Sequence, residues 1–131
     1  MAKILIIDDT KFMRTVLRSI LESLGHDIVA EGKNGEEAIV LAEGCNPDIV
    51  TLDIRMPKMD GVTAIPEIRK VCPDVKILIV SVIDDHEKIL EAVKNGANEY
   101  ILKPFRKDRI VSAINKLHMK EEVINEDDEN E

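Results

Sequence analysis

The stretch DIVTLDIRMPKMDG, Asp48 to Gly61, decides the fold class of this sequence. It opens with an apolar, β-branched run that predicts a buried strand, and the run ends at the carboxylate of Asp53. A Met-Pro turn follows at once, and helical spacing begins near Gly61. Asp53 is therefore either an ordinary acid at a strand end or a reactive group placed where a loop begins.

Short β-branched runs alternate with longer helical patterns along the whole chain. This order predicts parallel strands joined by right-handed crossovers, and hence an α/β fold with a doubly wound, five-stranded parallel sheet and five helices. The predicted strands cover 3–8, 27–32, 47–53, 75–81 and 98–103, and the predicted helices cover 11–24, 35–44, 61–71, 85–96 and 106–119.

Two of the predicted helices carry a specific expectation. Pro66 lacks an N–H and disfavours helical geometry at the preceding residue, so the third helix either starts late, near Thr63, or has a distorted first turn. The spacing of the fourth helix predicts that Ile89, Leu90 and Val93 face the core.

The composition describes one globular domain. The chain has 131 residues, of which 44% are hydrophobic and 34% charged. One Tyr and two Phe are its only aromatic residues, so the core must consist of Ile, Val, Leu and Ala, and we expect Phe12 and Phe105 to pack against it. The formal net charge of −8 repels phosphate, which argues against a nucleic-acid partner.

The end of the chain differs from the rest. Residues 120–131 include seven acids and little to bury, so we expect one folded domain over 1–119 followed by an acidic, disordered tail over 120–131. The N-terminal apolar run is too short for a signal peptide or membrane span, and Cys45 and Cys72 are isolated, so we expect a cytoplasmic protein without a membrane partner. The three histidines are far apart in sequence, which disfavours a zinc site.

Polar residues stand where the predicted strands end. Asp8 and Asp9 follow the first strand, Asp53 the third, Ser81 the fourth and Lys103 the fifth. Parallel strands bring these ends to one edge of the sheet, where sites of such folds form. Two carboxylates about 4 Å apart repel by roughly 4 kcal/mol at an effective dielectric constant near 20, so a cation is expected among them. The oxygen donors suit Mg²⁺.

Taken singly, each acid has an ordinary explanation, because aspartates at strand ends often form turns or cap helices. Asp9 and Thr10 stand directly before the first predicted helix, and one of this pair could cap it. Together with a hydroxyl and an ammonium, however, the acids suit phosphoryl transfer to an aspartate, which requires positioning and charge stabilisation. Asp53 would be the nucleophile, with Lys103 and Ser81 on other phosphoryl oxygens.

These residues stand in motifs that resemble those of response-regulator receiver domains of two-component signalling. The matching stretches are ILIIDD, DIVTLDIRMPKMDG, LIVSV and GANEYILKPF, and the similarity covers about 3–117. The resemblance implies a flavodoxin-like strand order of 2-1-3-4-5. It also implies that Asp53 accepts a phosphoryl group from a sensor histidine kinase, and that Asp8, Asp9, Asp53 and the backbone carbonyl of Arg55 bind Mg²⁺ or Mn²⁺.

The remaining roles follow from the same resemblance. Lys103 contacts the phosphoryl group, and Pro104 follows a cis peptide bond that aims Lys103 into the pocket. Ser81 moves onto a phosphoryl oxygen, and the rotamer of Tyr100 follows that movement. Such a domain catalyses only its own phosphorylation and dephosphorylation and is not otherwise an enzyme.

Within the family, DDTKFMR and EYILKPF are most similar to the stand-alone chemotaxis regulators of the CheY type. This similarity implies a monomer that takes its phosphoryl group from a CheA-like kinase. Its output would be binding of a flagellar or archaellar motor component, or an adaptor, through the fourth helix, fifth strand and fifth helix. Arg55 and Ile83, two residues after Asp53 and Ser81, occupy positions that tune hydrolysis in the family, and this pair predicts no particular rate.

Three other functions fit parts of the pattern. A phosphorelay intermediate, which passes its phosphoryl group to a histidine phosphotransfer protein, would have the same fold and pocket. A flavin-binding electron carrier shares the strand order, but the acids of DDTKF would repel its phosphate. An aspartyl phosphatase of the haloacid-dehalogenase type needs an acid two residues after its nucleophile, where Arg55 stands.

Overall fold

A computed structural model describes the backbone of residues 1–130 and the side chains of residues 1–118. Five strands form one sheet in the order β2-β1-β3-β4-β5, and every neighbouring pair is parallel. The strands are β1 (Lys3–Ile7), β2 (Asp27–Gly32), β3 (Ile49–Leu52), β4 (Lys76–Ser81) and β5 (Glu99–Leu102), and the helices are α1 (Lys11–Ser23), α2 (Gly35–Cys45), α3 (Gly61–Val71), α4 (His86–Lys94) and α5 (Lys107–Asn130). The predicted doubly wound fold is confirmed.

Two apolar layers cover the faces of the sheet. Alternate residues of β1 point to opposite faces, so Leu5 and Ile7 join one cluster whereas Ile4 and Ile6 join the other. The first cluster includes side chains of α2, α3 and α4, and the second includes side chains of α1 and α5. Helices therefore bury both faces of the sheet and leave the carboxyl ends of the strands as an open edge.

Three apolar residues that the sequence predicts to be buried are exposed in the structure. Leu90 and Val93 of α4 are 45% and 52% exposed, so the prediction that they face the core is wrong. Ala92 is buried instead, and Ile89 is half-buried. Spacing alone cannot decide which residues of α4 face inward, because it contains two pairs of apolar residues three positions apart. These pairs are Ile89 with Ala92 and Leu90 with Val93.

The exposure of Phe12 also differs from the expectation for this residue. It was expected to pack in the interior, but it is 76% exposed in the first turn of α1. Phe105 does pack against the cluster beneath α1 and α5, as expected. The two phenylalanines differ because Phe105 precedes α5 at the edge of an apolar cluster, whereas Phe12 occupies the outer side of α1.

Pro66 lies inside α3 without delaying the start of the helix. The helix begins at Gly61, where the Asp60 side chain caps it by accepting a hydrogen bond from the Thr63 N–H at 2.8 Å, so a start near Thr63 is wrong. A proline at position 66 cannot donate to the carbonyl of Val62, four residues earlier. The Asn95 side chain, at the end of α4, donates to that carbonyl at 3.4 Å and replaces the missing donor.

The fifth helix extends beyond the predicted end at residue 119, to Asn130. The apolar pattern on which the prediction rested stops at Leu117, whereas the Lys and Glu residues that follow are good helix formers. Side chains from residue 119 onward lie outside the described residues, so the boundary between a domain and an acidic tail over 120–131 stays a prediction. Across the described part of the chain, no helix has the length and apolar character needed to cross a membrane.

Candidate functional site

The carboxylates of Asp8, Asp9 and Asp53 meet at the open edge of the sheet. One oxygen from each of the three lies within 4.8 Å of the others. Asp8 and Asp53 are 1% and 5% exposed, whereas Asp9 is exposed. The turn at Asp8 and Asp9 follows β1, and Asp53 follows the neighbouring β3, so the strand order itself brings these acids together. Their predicted convergence is confirmed.

Lys103 reaches into this cluster from the end of β5. Its Nζ lies 2.6 Å from Oδ2 of Asp8 and 3.1 Å from Oδ2 of Asp53, and the peptide bond between Lys103 and Pro104 is cis. Burial by itself lowers the pKa of Lys103, but the hydrogen bonds and negative charge of the two aspartates outweigh it and raise the pKa. Lys103 is therefore a fixed positive charge shared by two buried carboxylates.

The two oxygens of Asp53 have different surroundings. Oδ2 accepts the hydrogen bond from Lys103, whereas Oδ1 is buried and has no hydrogen-bond partner among the described residues. Burial raises the pKa of Asp53, and the positive charge of Lys103 opposes that rise without cancelling it. Because no described residue donates to Oδ1, this oxygen keeps its lone pairs free for a bonding partner.

A divalent cation fits this donor set. Three carboxylates share one pocket, and the ammonium that bonds two of them leaves excess negative charge there. Hard oxygen donors such as these carboxylates are the ligands that Mg²⁺ prefers. The sequence predicts Asp8, Asp9 and Asp53 as ligands of the ion, and these three residues converge here.

The turn after Asp53 packs closely against the site. Gly61 donates its N–H to the carbonyl of Ile54 at 2.8 Å, and a Cβ at Gly61 would overlap the backbone carbonyl oxygen of Asp53. A glycine is therefore required where α3 begins. Arg55 lies within this turn and its side chain is exposed. The turn leads directly from Asp53 into the cap of α3.

Ser81 and Tyr100 are linked through the loop that follows β4. Ser81 is fully buried, and its Oγ accepts a hydrogen bond from the N–H of Ile83 at 3.2 Å. The Tyr100 hydroxyl donates to the backbone carbonyl of Ile83 at 2.6 Å. Burial raises the pKa of Tyr100, which keeps its hydroxyl protonated as a donor. Any movement of the loop at Ile83 therefore acts on both side chains.

Sequence reasoning missed two residues that organise Asp8. The capping role predicted for Asp9 or Thr10 belongs to Thr10, whose side chain caps α1, but its contact with Asp8 was not predicted. Both the N–H and the hydroxyl of Thr10 donate to Oδ1 of Asp8, and Arg14 donates to the backbone carbonyl of Asp8 at 2.7 Å. A threonine directly before a helical pattern signals the cap, and an aspartate two residues earlier can accept from it in a local turn.

Residues 4–115 match the family described as the response regulator receiver domain. The chain belongs to the response-regulator receiver family. It is 43% identical to the chemotaxis protein CheY of Thermotoga maritima, over 88% of this chain and 96% of that protein. It is also 43% identical to the chemotaxis protein CheY of Halobacterium salinarum, over 87% of this chain and 95% of that protein.

A solved structure agrees with this assignment of a receiver domain. The CheX–CheY–BeF3–Mg²⁺ complex from Borrelia burgdorferi matches with a TM-score of 0.81 and 31% identity, over 90% of this chain and 87% of that one. The residues that match the family include the DDTKF loop, whose acids argue against a flavin carrier. They also include Arg55, which stands where a dehalogenase-type phosphatase needs an acid. Neither alternative is favoured for a receiver domain.

Proposed function

We propose that this receiver domain is a CheY-type switch in which Asp53 accepts a phosphoryl group from a sensor histidine kinase. The observation that supports this most directly is the asymmetry of Asp53. Lys103 holds Oδ2, while Oδ1 is buried and unpartnered at the point where the acids converge. An oxygen fixed in this way is oriented as a nucleophile and gains a bonding partner when it attacks phosphorus.

The transfer step places each residue in a role. A lone pair on Asp53 Oδ1 forms the new O–P bond while the P–N bond of the donor phosphohistidine breaks, and the imidazole leaves with the bonding electrons. Lys103 offsets the charge that the phosphoryl oxygens bring, and the Ser81 hydroxyl donates to one of them. Bound Mg²⁺, held by Asp8, Asp9, Asp53 and the Arg55 carbonyl, would neutralise further negative charge on the transferred group.

The response would pass from Ser81 to the surface of α4, β5 and α5. Drawing the Ser81 hydroxyl toward Asp53 would break its bond with the Ile83 N–H, and the loop carrying the Ile83 carbonyl would move relative to Tyr100. Leu90 and Val93 of α4 and Leu102 of β5 are exposed apolar side chains on this surface. They supply area for an output partner that binds after phosphorylation.

Chemotaxis or motility is the setting that we propose, because the chemotaxis proteins CheY of Thermotoga maritima and Halobacterium salinarum match this chain over nearly their whole length. The phosphodonor would be a CheA-like kinase and the output a flagellar or archaellar motor component or adaptor. We further propose a monomer in the cytoplasm, a reducing compartment that suits the free thiols of Cys45 and Cys72.

Phosphorylation by a small donor tests the proposal. The chain is incubated with acetyl phosphate and Mg²⁺, and its intact mass is measured. We expect an adduct of one phosphate that is absent without Mg²⁺ and absent in Asp53→Asn. Asp27→Asn is the matched control, since Asp27 is an exposed acid that starts β2 at the opposite edge of the sheet. An adduct that persists in Asp53→Asn would refute the role of Asp53.

A second experiment separates chemotaxis from phosphorelay. The phosphorylated protein is offered motor components and histidine phosphotransfer domains, and binding and transfer of label are measured. We expect phosphorylation to increase affinity for a motor component without passing label to the histidine domain. Rapid transfer of label to the histidine, with no gain in motor affinity, would instead establish a relay.

A further inference from the structure

Thr10 joins the start of α1 to the acidic site through a single hydroxyl group. Its Oγ accepts a hydrogen bond from the N–H of Met13 at 3.3 Å, which caps the helix. The same hydroxyl donates to Oδ1 of Asp8 at 3.1 Å, and the N–H of Thr10 donates to that oxygen at 2.9 Å. A hydroxyl can accept and donate at once, so the two contacts are compatible.

These bonds, with that of Lys103, hold Asp8 at both of its oxygens. Oδ1 accepts from Thr10, and Oδ2 accepts from the Lys103 ammonium at 2.6 Å. A carboxylate gripped at both oxygens keeps one orientation, and Asp8 is only 1% exposed, so water cannot easily replace a lost donor. Oδ1 of Asp53, by contrast, is left unpartnered. Thr10 and Lys103 together therefore fix the orientation of the Asp8 carboxylate, with Thr10 holding Oδ1.

We propose that Thr10 is a positioning residue for divalent-cation binding, because its hydroxyl orients Asp8. This inference rests on the proposed function, in which Asp8 belongs to the Mg²⁺ site. Groups that hold the ligands of a metal commonly change its affinity 10- to 100-fold when they are removed. The effect should lie at the lower end here, since the N–H of Thr10 remains as a donor to Asp8 after any substitution of the side chain except proline.

The test compares Thr10→Val, which keeps the branched shape but has no hydroxyl, with Thr10→Ser, which keeps the hydroxyl. Mg²⁺ affinity is measured by isothermal titration calorimetry with MgCl2 at 0.15 M salt. We expect a loss of about tenfold in Thr10→Val and an affinity within about twofold of the parent in Thr10→Ser. Thr10→Gly serves as a second variant without a hydroxyl, because glycine is tolerated at a helix cap.

Loss of a helix cap must be separated from loss of ligand positioning. Asp85→Ala removes the cap of α4, where the Asp85 side chain accepts from the Glu87 N–H, and should lower the unfolding temperature with little change in Mg²⁺ affinity. Equal affinities for the parent, Thr10→Val and Thr10→Gly would overturn this inference alone. A parent chain that binds no Mg²⁺ would instead overturn the proposed function.

Discussion

At the scale of single residues, Asp53 is the side chain on which burial and charge act against each other. It follows β3, whose four residues are all buried, and desolvation there disfavours its ionised form. The ammonium of Lys103 compensates by a hydrogen bond to one of its two oxygens. Reactive groups are commonly found in such positions because the unfavourable free state is relieved when the ligand or the transferred group arrives. The carboxylate should therefore lower the stability of the free domain.

Replacing Asp53 tests this conflict. Because the pKa of Asp53 is raised in the folded state, the unfolded chain gives up this proton first, and ionisation destabilises the fold as pH rises from the unfolded value of about 3.8 through the folded one. At pH 7 without metal we expect Asp53→Asn to be more stable by on the order of 1 kcal/mol, or about 4 °C in Tm.

Mg²⁺ should reverse this difference. The ion binds the folded parent chain and raises its Tm, whereas Asp53→Asn has lost a charged ligand and should respond much less. Calorimetric or fluorescence melting with and without 10 mM MgCl2 measures both effects. A variant that melts below the parent in the absence of metal would contradict the assignment of Asp53 as a destabilising group.

At the scale of the elements, α4 is fastened to α3 at its C-terminal end. Asn95 donates to the Val62 carbonyl that Pro66 leaves without a helical partner. The guanidinium of Arg69, also on α3, donates to the carbonyl of Gly96 at 2.6 Å and to the side chain of Asn98 at 2.7 Å. These bonds hold the chain just beyond α4, so the other end of α4, next to the loop after Ser81, is the end placed to respond to the site.

The link between Pro66 and Asn95 predicts a dependence between two mutations. Asn95→Ala leaves the carbonyl of Val62 unpaired and should cost about 1 kcal/mol of unfolding free energy. In a Pro66→Ala background, the new N–H at position 66 can donate to that carbonyl, so the same substitution should cost measurably less. Urea unfolding of the four proteins of the cycle gives the coupling energy.

The neighbouring substitution Lys94→Ala is the matched control for this cycle, since Lys94 is exposed at the end of α4. Its effect on unfolding should be small and equal in both backgrounds. If Asn95→Ala were equally costly with proline and with alanine at position 66, Asn95 would not be the substitute donor for α3.

At the scale of the whole molecule, the acids and Lys103 occupy one edge of the sheet. At the opposite edge, His26 contacts both the N-terminal segment and α5. His26 precedes β2, and its Nδ1 accepts a hydrogen bond from the N–H of Ala2 at 3.0 Å, next to the start of β1. The ring of His118, on α5, stands edge-on to it with 6.2 Å between centroids. Burial lowers the pKa of His26, with the N-terminal amine and His118 acting in the same direction.

This contact predicts a loss of stability in mild acid. The folded pKa of His26 lies below the unfolded value of about 6.5, so the unfolded chain binds this proton first and stability falls as pH drops below about 6.5. His26→Asn keeps an acceptor near the Nδ1 position but cannot titrate. Thermal melts between pH 7.5 and 5 should show a smaller decrease in Tm for His26→Asn than for the parent; parallel decreases would exclude His26 as the cause.

Much of the fold and of the site could be predicted from the sequence because both depend on patterns that are local in the chain. The alternation of β-branched runs with helical spacing implied parallel strands, and parallel strands place Asp8, Asp53 and Lys103 at one edge whatever the details of packing. Ser81 belongs to this local set as well, since it ends β4 as predicted. For these residues, position along the chain determined position in the molecule.

Only the tertiary structure decided which atoms are paired and which helical faces are covered. Spacing could not choose between Leu90 and Ala92 for the inner side of α4, because the rotation of a helix depends on the surface that it packs against. Spacing also could not predict the hydrogen bond from Asn95 to the Val62 carbonyl, because these residues are distant in sequence. Nor could it predict that one oxygen of Asp53 has no partner among the described residues. The sequence alone determined which groups meet at the sheet edge, and packing determined their hydrogen bonds, because hydrogen bonds require positions defined to fractions of an ångström.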